Sequence, residues 1–144
     1  MTVILVKKKF VGDATFDKLK LWVIPVTIKG EERNCTFNLL LDTGSERTII
    51  TPSVKKYLDL LELPEESVRG GGVTGKAQYS TVTVDLDIGS IPLADIKVLV
   101  GSLPSVFNRY QIVGILGADL LQLLSLKIDY PEKLLEIERV TVYF

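Results

Sequence analysis

One aspartate of the chain lies where its carboxylate could take part in acid–base chemistry. Asp42 follows three leucines (Leu39–Leu41) and precedes Thr43 and Gly44. A carboxylate at the end of an apolar segment is partly removed from water, so it needs hydrogen bonds or a shared proton. Gly44 allows a tight turn that brings a backbone N–H close to the carboxylate. The same residues are also typical of an ordinary β-turn, and the motif alone leaves both interpretations open.

Two glycine-containing segments follow this motif. The stretch Gly70–Gly75 lies between two predicted strands, and by itself it indicates a mobile hairpin loop. The segment from Val113 to Leu121 is apolar and has a glycine at Gly117. By itself this segment indicates a strand followed by a short helix.

The composition excludes several other kinds of site. The 144 residues contain no histidine, which excludes a Ser-His-Asp triad, a Cys-His dyad and a histidine-ligated metal within one chain. Cys35 is the only cysteine and can form neither an intrachain disulfide nor a zinc cluster, so we interpret it as a small core or surface residue. With 17 basic and 18 acidic residues, the chain has no basic field that would gather nucleic acid.

The lengths of the apolar segments indicate where in the cell the protein is expected. No segment reaches the about 20 apolar residues that a membrane span needs. The apolar start, Met1–Val6, lacks the basic region and cleavage site of a signal peptide. We therefore expect a soluble cytoplasmic protein that does not bind membranes, folded as a single domain over residues 1–144.

Short β-type segments dominate the chain and predict an all-β domain, closed or sandwich-like, with one or two short helices. Pro25 predicts that its strand lies at an edge or carries a bulge. The predicted strands are Met1–Phe10, Leu19–Lys29, Asn34–Leu41, Ile49–Ile50, Ser80–Ile88, Ala94–Gly101, Gln111–Leu116, Leu126–Tyr130 and Leu134–Phe144, and the predicted helices are Pro52–Leu61 and Ala118–Leu124.

Taken together and in this order, the three motifs resemble those of the retropepsin-like aspartic peptidases, which include retroviral proteases and their cellular and prokaryotic relatives. The matching segments are Leu40–Ser45, Gly71–Gly75 (the flap of the family) and Ile115–Gly117. The resemblance covers roughly Trp22 to Tyr130. It implies a closed β-barrel-like half-domain of the pepsin and retropepsin type that is an obligate homodimer.

The resemblance also implies an activity. Members of the family use two carboxylates that share a proton to activate a water molecule. The chain has one Asp-Thr-Gly sequence, so the second carboxylate must be Asp42 of another copy. The expected function is therefore an aspartic endopeptidase that needs neither a metal nor a cofactor. The alternatives are a non-catalytic dimerisation or peptide-binding module with the same fold, and an unrelated β-barrel binder.

Other roles carry over by position. Thr43 is expected to hydrogen-bond across the dimer, and the termini are expected to contribute to the interface. Contacts with an extended polypeptide substrate are expected from two loops and one strand: Gly44, Ser45 and Glu46 beside the catalytic turn, Gly72 and Val73 at the flap tip, and Val113 and Ile115 as the lining of apolar pockets.

The chain departs from the family pattern after the third motif. Retroviral members usually have an arginine there, which bridges to an acid just past the active-site turn. Here that position is Ala118, while Glu46 stands at the place of the acid and Arg47 follows it. The usual bridge is therefore expected to be absent. We interpret Asp119 as a favourable partner of the helix dipole, Asp85 and Asp87 as solvated, and Asp129 as a turn residue.

Overall fold

The computed structural model describes the backbone of residues 1–63, 68–72 and 75–141, and the side chains of residues 1–63 and 79–141. The described backbone contains ten strands and three α-helices, in the order β1 (Thr2–Lys9), α1 (Ala14–Leu19), β2 (Val23–Lys29), β3 (Asn34–Leu41), β4 (Ile49–Ile50), α2 (Pro52–Leu58), β5 (Val68–Gly72), β6 (Gly75–Ile88), β7 (Ile91–Val100), β8 (Ile112–Leu116), α3 (Ala118–Leu121), β9 (Ser125–Asp129) and β10 (Leu134–Thr141), with a 3-10 helix at Ser105–Tyr110 before β8.

Six strands close into a barrel. Their order is β2-β3-β8-β4-β7-β6, and β6 returns to β2 through residues 27–29 and 85–87. The inward residues of β2 show how the alternating pattern builds the core, because Ile24, Val26 and Ile28 are all buried. The predicted all-β barrel with short helices is thus confirmed. Pro25 is exposed and lies where β2 pairs with β3 but not with β6, which agrees with its predicted edge position.

Two further sheet regions extend from the barrel. Strand β5 pairs with β6 alone and forms a glycine-rich hairpin in which Gly72 faces Gly75. Strands β1, β10 and β9 form a separate three-stranded sheet in that order. In it, β1 and β10 pair antiparallel over their whole length, from Thr2 opposite Thr141 to Lys9 opposite Leu134. The two ends of the described chain therefore pair with each other within one molecule.

Several predicted boundaries of helices and strands were wrong. The residues at which a helix ends adopt backbone conformations that the sequence pattern did not indicate. The predicted strand from Leu19 begins only at Val23, since the preceding residues form α1. Asp13 caps this helix by accepting the N–H of Phe16 at 2.9 Å. Helix α2 ends at Leu58 rather than Leu61, because Asp59 adopts a left-handed conformation with φ of 53°. Helix α3 likewise ends three residues before the predicted end.

Strand boundaries also differ at the β6–β7 hairpin and at the C-terminus. The turn between β6 and β7 consists of Gly89 and Ser90 alone, so β7 begins three residues earlier than predicted. Strand β6 begins earlier than predicted, at Gly75, because it pairs with β5. The predicted last residues of β10, 142–144, lie outside the described part of the chain. No helix in the described ranges is both long enough and apolar enough to span a membrane.

An aromatic cluster joins the terminal sheet to the barrel. The rings of Phe10, Phe16 and Trp22 are buried with centroids 4.7 to 5.4 Å apart. Tyr130 follows β9, and its ring packs edge-on against Trp22 at 5.2 Å. Trp22 directly precedes β2, so this cluster fixes β9 beside the barrel wall that carries Asp42.

Candidate active site

Asp42 lies at the end of β3, where the strand turns away from its parallel neighbour β8. The N–H of Leu41 donates to the carbonyl of Trp22 at 2.8 Å, and the N–H of Asp42 donates to the carbonyl of Leu116 at 3.0 Å. The backbone is therefore held from both sides up to Asp42 itself. The side chain is only partly buried, so its carboxylate remains within reach of solvent or a substrate.

The turn after Asp42 binds its own carboxylate. The N–H of Gly44 donates to Oδ1 of Asp42 at 2.9 Å, and the N–H of Ser45 donates to the carbonyl of Asp42 at 3.1 Å. An ideal Cβ on Gly44 would lie 3.3 Å from Oδ1, which is a tight contact. A glycine here therefore permits the short hydrogen bond that fixes the orientation of the carboxylate. Thr43 and Gly44 are exposed beside it.

Thr48 anchors the far end of the turn in the core. Thr48 is 1% exposed, and its hydroxyl donates to Oδ1 of Asp119 at 2.7 Å. The backbone N–H of Thr48 donates to the second carboxylate oxygen of Asp119 at 3.1 Å. The same hydroxyl accepts the N–H of Gly117 at 3.1 Å. The buried hydroxyl has both a donor and an acceptor partner, so its hydrogen bonding is satisfied. These contacts therefore constrain the position of the turn strongly.

Backbone contacts add to this clamp. The N–H of Ala118 donates to the carbonyl of Ser45 at 2.7 Å, and the N–H of Asp119 donates to the carbonyl of Glu46 at 3.2 Å. Gly117 approaches the loop so closely that an ideal Cβ would lie 2.5 Å from the carbonyl carbon and oxygen of Arg47. The glycine of the third motif is therefore required by contact with the loop of the first motif.

The usual arginine bridge is absent because residue 118 is alanine, but a different ion pair joins the same two segments. Nε of Arg47 lies 3.5 Å from Oδ2 of Asp119, so an ion pair does connect the loop to α3. Compared with the bridge expected in retroviral members, the charges are reversed. Here the basic residue lies on the loop and the acidic residue lies on the helix. Ala118 and Glu46 are exposed. Asp119 does accept the N–H of Leu120 at 2.8 Å at the start of α3, but its main partners are on the loop.

Asp119 is the residue whose role sequence reasoning missed. The sequence predicts only a helix-dipole partner, because Asp119 stands at a helix start. One sequence feature could have indicated the missed role. Asp119 stands two residues after Gly117, just after the end of an apolar strand that follows the Asp42 turn in the chain. Asp129 does behave as a turn residue, since it accepts the N–H of Glu132 at 3.0 Å. Asp85 is exposed, whereas Asp87 is partly buried and pairs with Lys29 at 3.2 Å.

The residues predicted to contact a substrate lie in three places. Ser45 and Glu46 continue the catalytic turn, and the hydroxyl of Ser45 donates to the carbonyl of Arg47 at 2.9 Å. Val113 and Ile115 are the partly exposed positions of β8, alternating with buried neighbours that face the core. Because β8 pairs with β3, they lie on the strand beside Asp42.

The predicted flap corresponds to the β5–β6 hairpin. Gly72 ends β5, opposite Gly75. Val73 lies outside the described residues.

The Asp42 turn lies apart from the cavity between α2 and β6. A cavity of about 850 Å³ lies between α2 and β6 and includes Lys55, Glu62 and Tyr79, but no residue of the Asp42 turn. Within the described ranges, no group of three or more Asp, Glu, Cys or His side chains could hold a metal ion. The Asp42 carboxylate thus lies on an open surface, and each chain provides one such carboxylate.

Comparison with known proteins identifies the family. The family model described as "Aspartyl protease" matches residues 24–120, which include the turn, the hairpin and the third motif. The chain belongs to the aspartyl protease family. No curated protein matches the chain.

Solved structures of retropepsin-like aspartic proteases share the fold of this family member. A retropepsin-like aspartic protease from Rickettsia conorii aligns over 98% of this chain and 95% of its own, with a TM-score of 0.63 and 18% identity. The EIAV protease complexed with the inhibitor HBY-793 aligns over 76% of this chain and 92% of its own, with a TM-score of 0.53 and 25% identity. The retroviral protease-like domain of Ddi1 from Leishmania major has a TM-score of 0.52 and 14% identity over 77% of this chain and 82% of its own. The retropepsin-like assignment from the three motifs is confirmed.

Proposed function

We propose that this aspartyl protease family member is an endopeptidase that acts as a homodimer, with Asp42 of each copy supplying one of two catalytic carboxylates. The observation that carries the proposal is the Asp42 turn itself. Its carboxylate accepts the N–H of Gly44 and is otherwise partly exposed, while the backbone N–H of Asp42 donates to the carbonyl of Leu116. Two such carboxylates are needed for general acid and general base, and one chain has a single Asp-Thr-Gly.

The reaction then follows from one shared proton. Two carboxylates a few ångströms apart cannot both be ionised, so one is a base and the other an acid. The ionised Asp42 takes a proton from a water molecule held between the pair, and the water oxygen attacks the carbonyl carbon of the peptide bond. The protonated Asp42 donates to the carbonyl oxygen, which gives a gem-diol. A proton then passes to the nitrogen as the C–N bond breaks, and neither an acyl-enzyme nor a metal takes part.

The surrounding residues receive their roles from position in this dimer. Thr43 is exposed beside Asp42 and hydrogen-bonds to the second copy, which holds the two turns together. An extended polypeptide lies across both turns and binds through main-chain groups near Gly44, Ser45 and Glu46. Val113 and Ile115 line apolar pockets for its side chains. The hairpin that contains Gly72 and Val73 closes over the substrate.

Two similarities support this proposal. One neighbour with the same fold is named as a retropepsin-like aspartic protease, and the other is a protease in complex with an inhibitor. The second neighbour has 25% identity over 76% of this chain. The matched family segment, residues 24–120, contains every proposed catalytic and substrate-binding residue.

Cleavage of an unfolded polypeptide tests the proposal. Wild type is incubated with the substrate between about pH 3 and pH 7, with and without a statine inhibitor that mimics the gem-diol. Asp42→Asn should abolish cleavage while keeping the fold, because the amide occupies the same volume but cannot act as base. Asp59→Asn is the matched control. Asp59 is exposed and left-handed, a conformation that asparagine tolerates, so this variant should cut as wild type does.

The outcomes separate the candidate functions. No cleavage by wild type at any pH in the range, or equal cleavage by Asp42→Asn, contradicts the endopeptidase. If wild type is an inactive dimer that binds extended peptides, the non-catalytic module with the same fold takes its place. Inhibition by statine, combined with loss of cleavage in Asp42→Asn alone, supports the proposal.

A further inference from the structure

We propose that the free edge of strand β1 binds an extended segment of another polypeptide, which adds antiparallel as a fourth strand of the terminal sheet. The bound segment carries acidic residues opposite Lys7 and Lys9 and an apolar residue opposite Val6. This site shares no residue with the Asp42 turn. It is therefore a second polypeptide-binding site, and it does not depend on the proposed catalytic chemistry.

Strand β1 has an unpaired backbone edge. It pairs with β10 from Thr2 to Lys9 on one side, and in the described ranges no strand pairs with its other side. Along such an edge, alternate residues direct their N–H and C=O groups outward and form a template for another strand. An extended segment of similar length can therefore add main-chain hydrogen bonds without rearranging the sheet.

Three consecutive lysines make the end of this edge basic. Nζ of Lys7 lies 3.5 Å from a carboxylate oxygen of Glu136, but the lysine side chain is 59% exposed, so this pair is weak and open to competition. Lys8 lies over the ring of Phe10 at 5.0 Å, and Lys9 is exposed. Neither Lys8 nor Lys9 has an acidic partner in the described part of the chain. Lysines on an edge disfavour a basic strand and favour one that carries acids.

An apolar crevice lies beneath the same edge. A cavity of about 210 Å³ separates the inner face of the terminal sheet from the barrel, and Lys7 and Lys8 border it. Its apolar lining includes Val6, Leu135 and Ile137 from the sheet and Ile24, Pro25 and Ile88 from the barrel. Because β1 is the last strand of its sheet and Pro25 is exposed, the crevice opens along the free edge.

The crevice results from the strand pairing of the barrel. Strand β2 pairs with β6 only through residues 27–29, so Pro25 lies where the barrel wall has a gap. At the β6–β7 turn, Gly89 lets Val6 approach closely, since an ideal Cβ would lie 3.1 Å from a methyl group of Val6. A cavity of about 150 Å³ with a similar lining holds benzene. The crevice therefore has room for one aliphatic side chain.

The alternation of β1 determines the register of the bound segment. Val6 and Lys8 are partly buried on the inner face, whereas Leu5, Lys7 and Lys9 are exposed on the outer face. Residues directly opposite each other in an antiparallel pair direct their side chains to the same face. A residue opposite Val6 therefore enters the crevice, and acids opposite Lys7 and Lys9 lie outside. From its N-terminus, the segment reads acidic, any, acidic, apolar and then a residue opposite Leu5.

The combination of features favours a polypeptide over other anionic partners. Lysines alone would also attract an anionic membrane surface or a nucleic acid. Neither of these offers the row of N–H and C=O groups that pairs with a strand edge, whereas an extended peptide does. In strand addition, main-chain hydrogen bonds give affinity and pockets for alternate side chains give specificity. The edge and the crevice of β1 provide both.

A labelled peptide, Thr-Glu-Thr-Glu-Leu-Val-Thr, tests the site by fluorescence anisotropy. The full chain with Asp42→Asn is used so that the peptide is not cut, and saturable binding is expected. Replacing both glutamates of the peptide by lysine should weaken binding by roughly tenfold or more. The double variant Lys7→Glu/Lys9→Glu should reverse this preference. Lys18→Glu/Lys56→Glu is the matched control, because both lysines are exposed elsewhere and the net charge is the same.

Modified peptides test the strand pairing and the register. Methylating every second backbone nitrogen should abolish binding in the phase that faces β1 and be tolerated in the other phase. Changing the leucine of the peptide to asparagine should weaken binding more than the same change at its valine, because only the leucine enters the crevice. Equal effects of the two methylation phases would overturn strand addition. Equal effects of the two asparagine changes, or equal binding of the reversed peptide sequence, would overturn the register.

The remaining outcomes separate this site from other occupants and from the proposed function. Binding of phosphatidylserine vesicles without binding of the peptide assigns the lysines to a membrane surface and overturns the site. A sedimentation coefficient of the protein alone that changes in Lys7→Glu/Lys9→Glu, without peptide binding, assigns the edge to a second copy and also overturns it. Cleavage by wild type without peptide binding keeps the proposed function only. Charge-selective peptide binding by a protein that cleaves nothing keeps this site only.

Discussion

Asp119 and Thr48 are joined by two hydrogen bonds, from the backbone N–H at 3.1 Å and from the hydroxyl at 2.7 Å. The two residues are 71 positions apart in the chain. Because Thr48 is buried at the end of the turn that starts at Asp42, the carboxylate on α3 determines where that turn lies. The geometry of the proposed active site therefore depends on a residue outside the Asp-Thr-Gly motif.

Replacement of Asp119 should reduce both stability and turnover. Asp119→Ala leaves the N–H and hydroxyl of Thr48 without their acceptor, at a cost of about 1–3 kcal/mol for such a buried group. Asp119→Asn keeps one acceptor oxygen and should recover part of the loss, although it cannot pair with Arg47. Chemical denaturation gives the stability, and steady-state kinetics give kcat and KM. A positioning role lowers kcat more than it raises KM in molecules that remain folded dimers.

The matched control for this pair is Asp59→Asn, which should leave both quantities near their wild-type values because Asp59 is exposed. An Asp119→Ala variant with unchanged stability and kcat would contradict the positioning role.

Gly117→Ala should destabilise the protein and displace the catalytic turn. The added Cβ meets the backbone of Arg47 at 2.5 Å, and neither segment can yield without breaking the contacts around Thr48. Overpacking of this kind costs about 1–3 kcal/mol. Thermal unfolding measures the effect.

Gly44→Ala is the comparison for Gly117→Ala, since its Cβ would lie 3.3 Å from a side-chain oxygen and should affect stability much less. The prediction is wrong if the two alanine variants unfold at the same temperature.

Trp22 combines a large buried ring with an unpaired donor. Its indole Nε1 is buried and has no hydrogen-bond partner in the described part of the chain. Trp22→Phe removes this donor and keeps an aromatic ring against Phe10 and Phe16, so it should cost little. Trp22→Ala should cost about 3–5 kcal/mol because it leaves a cavity.

Circular dichroism is the suitable probe for both variants, since Trp22 is the only tryptophan. Equal destabilisation by phenylalanine and alanine would contradict the prediction, because the two variants differ in the aromatic ring that phenylalanine keeps.

Glu62 gives stability a small dependence on pH. A hydrogen bond from Lys55, at 2.5 Å, and a second from Ser80 hold the pKa of the Glu62 carboxyl below its usual value. A carboxyl whose pKa is lowered in the folded state stabilises it above the unfolded pKa, and this contribution disappears as the pH falls through the folded pKa. The contribution is small because the group is exposed.

Glu62→Gln should therefore lower the melting temperature slightly at neutral pH and leave it unchanged in acid. Melting curves between about pH 2 and pH 7 compare the two proteins, and added salt should narrow the difference at neutral pH. A difference that persists in acid would contradict the ionic origin.

Features that depend on residues adjacent in the chain were predictable from the sequence. The strands Asn34–Leu41 and Ile49–Ile50 begin and end where predicted, because apolar β-formers stand next to clear turn residues. Helix α1 was missed, although Asp13 is a recognisable cap. The ends of α1 and α2 were not predictable in the same way, because Lys20 and Asp59 adopt left-handed conformations without being glycine.

The support of the active-site turn could not be predicted from local pattern. Whether Asp119 points at a helix end or at Thr48 depends on β8 lying parallel to β3, a pairing between segments far apart in the chain. The glycine of the third motif was recognised from its resemblance to a family, yet its physical reason, the approach to Arg47, appears only in three dimensions.

The pairing of β1 with β10 within one chain has a consequence for regulation. In the proposed dimer, each copy forms its barrel and its three-stranded sheet from its own strands, so dissociation does not require unfolding. Folding and assembly are then successive steps, and by mass action the active fraction rises with the amount of protein present. Dilution switches the proposed enzyme off reversibly, and the level of expression in the cell becomes a control on its proteolysis.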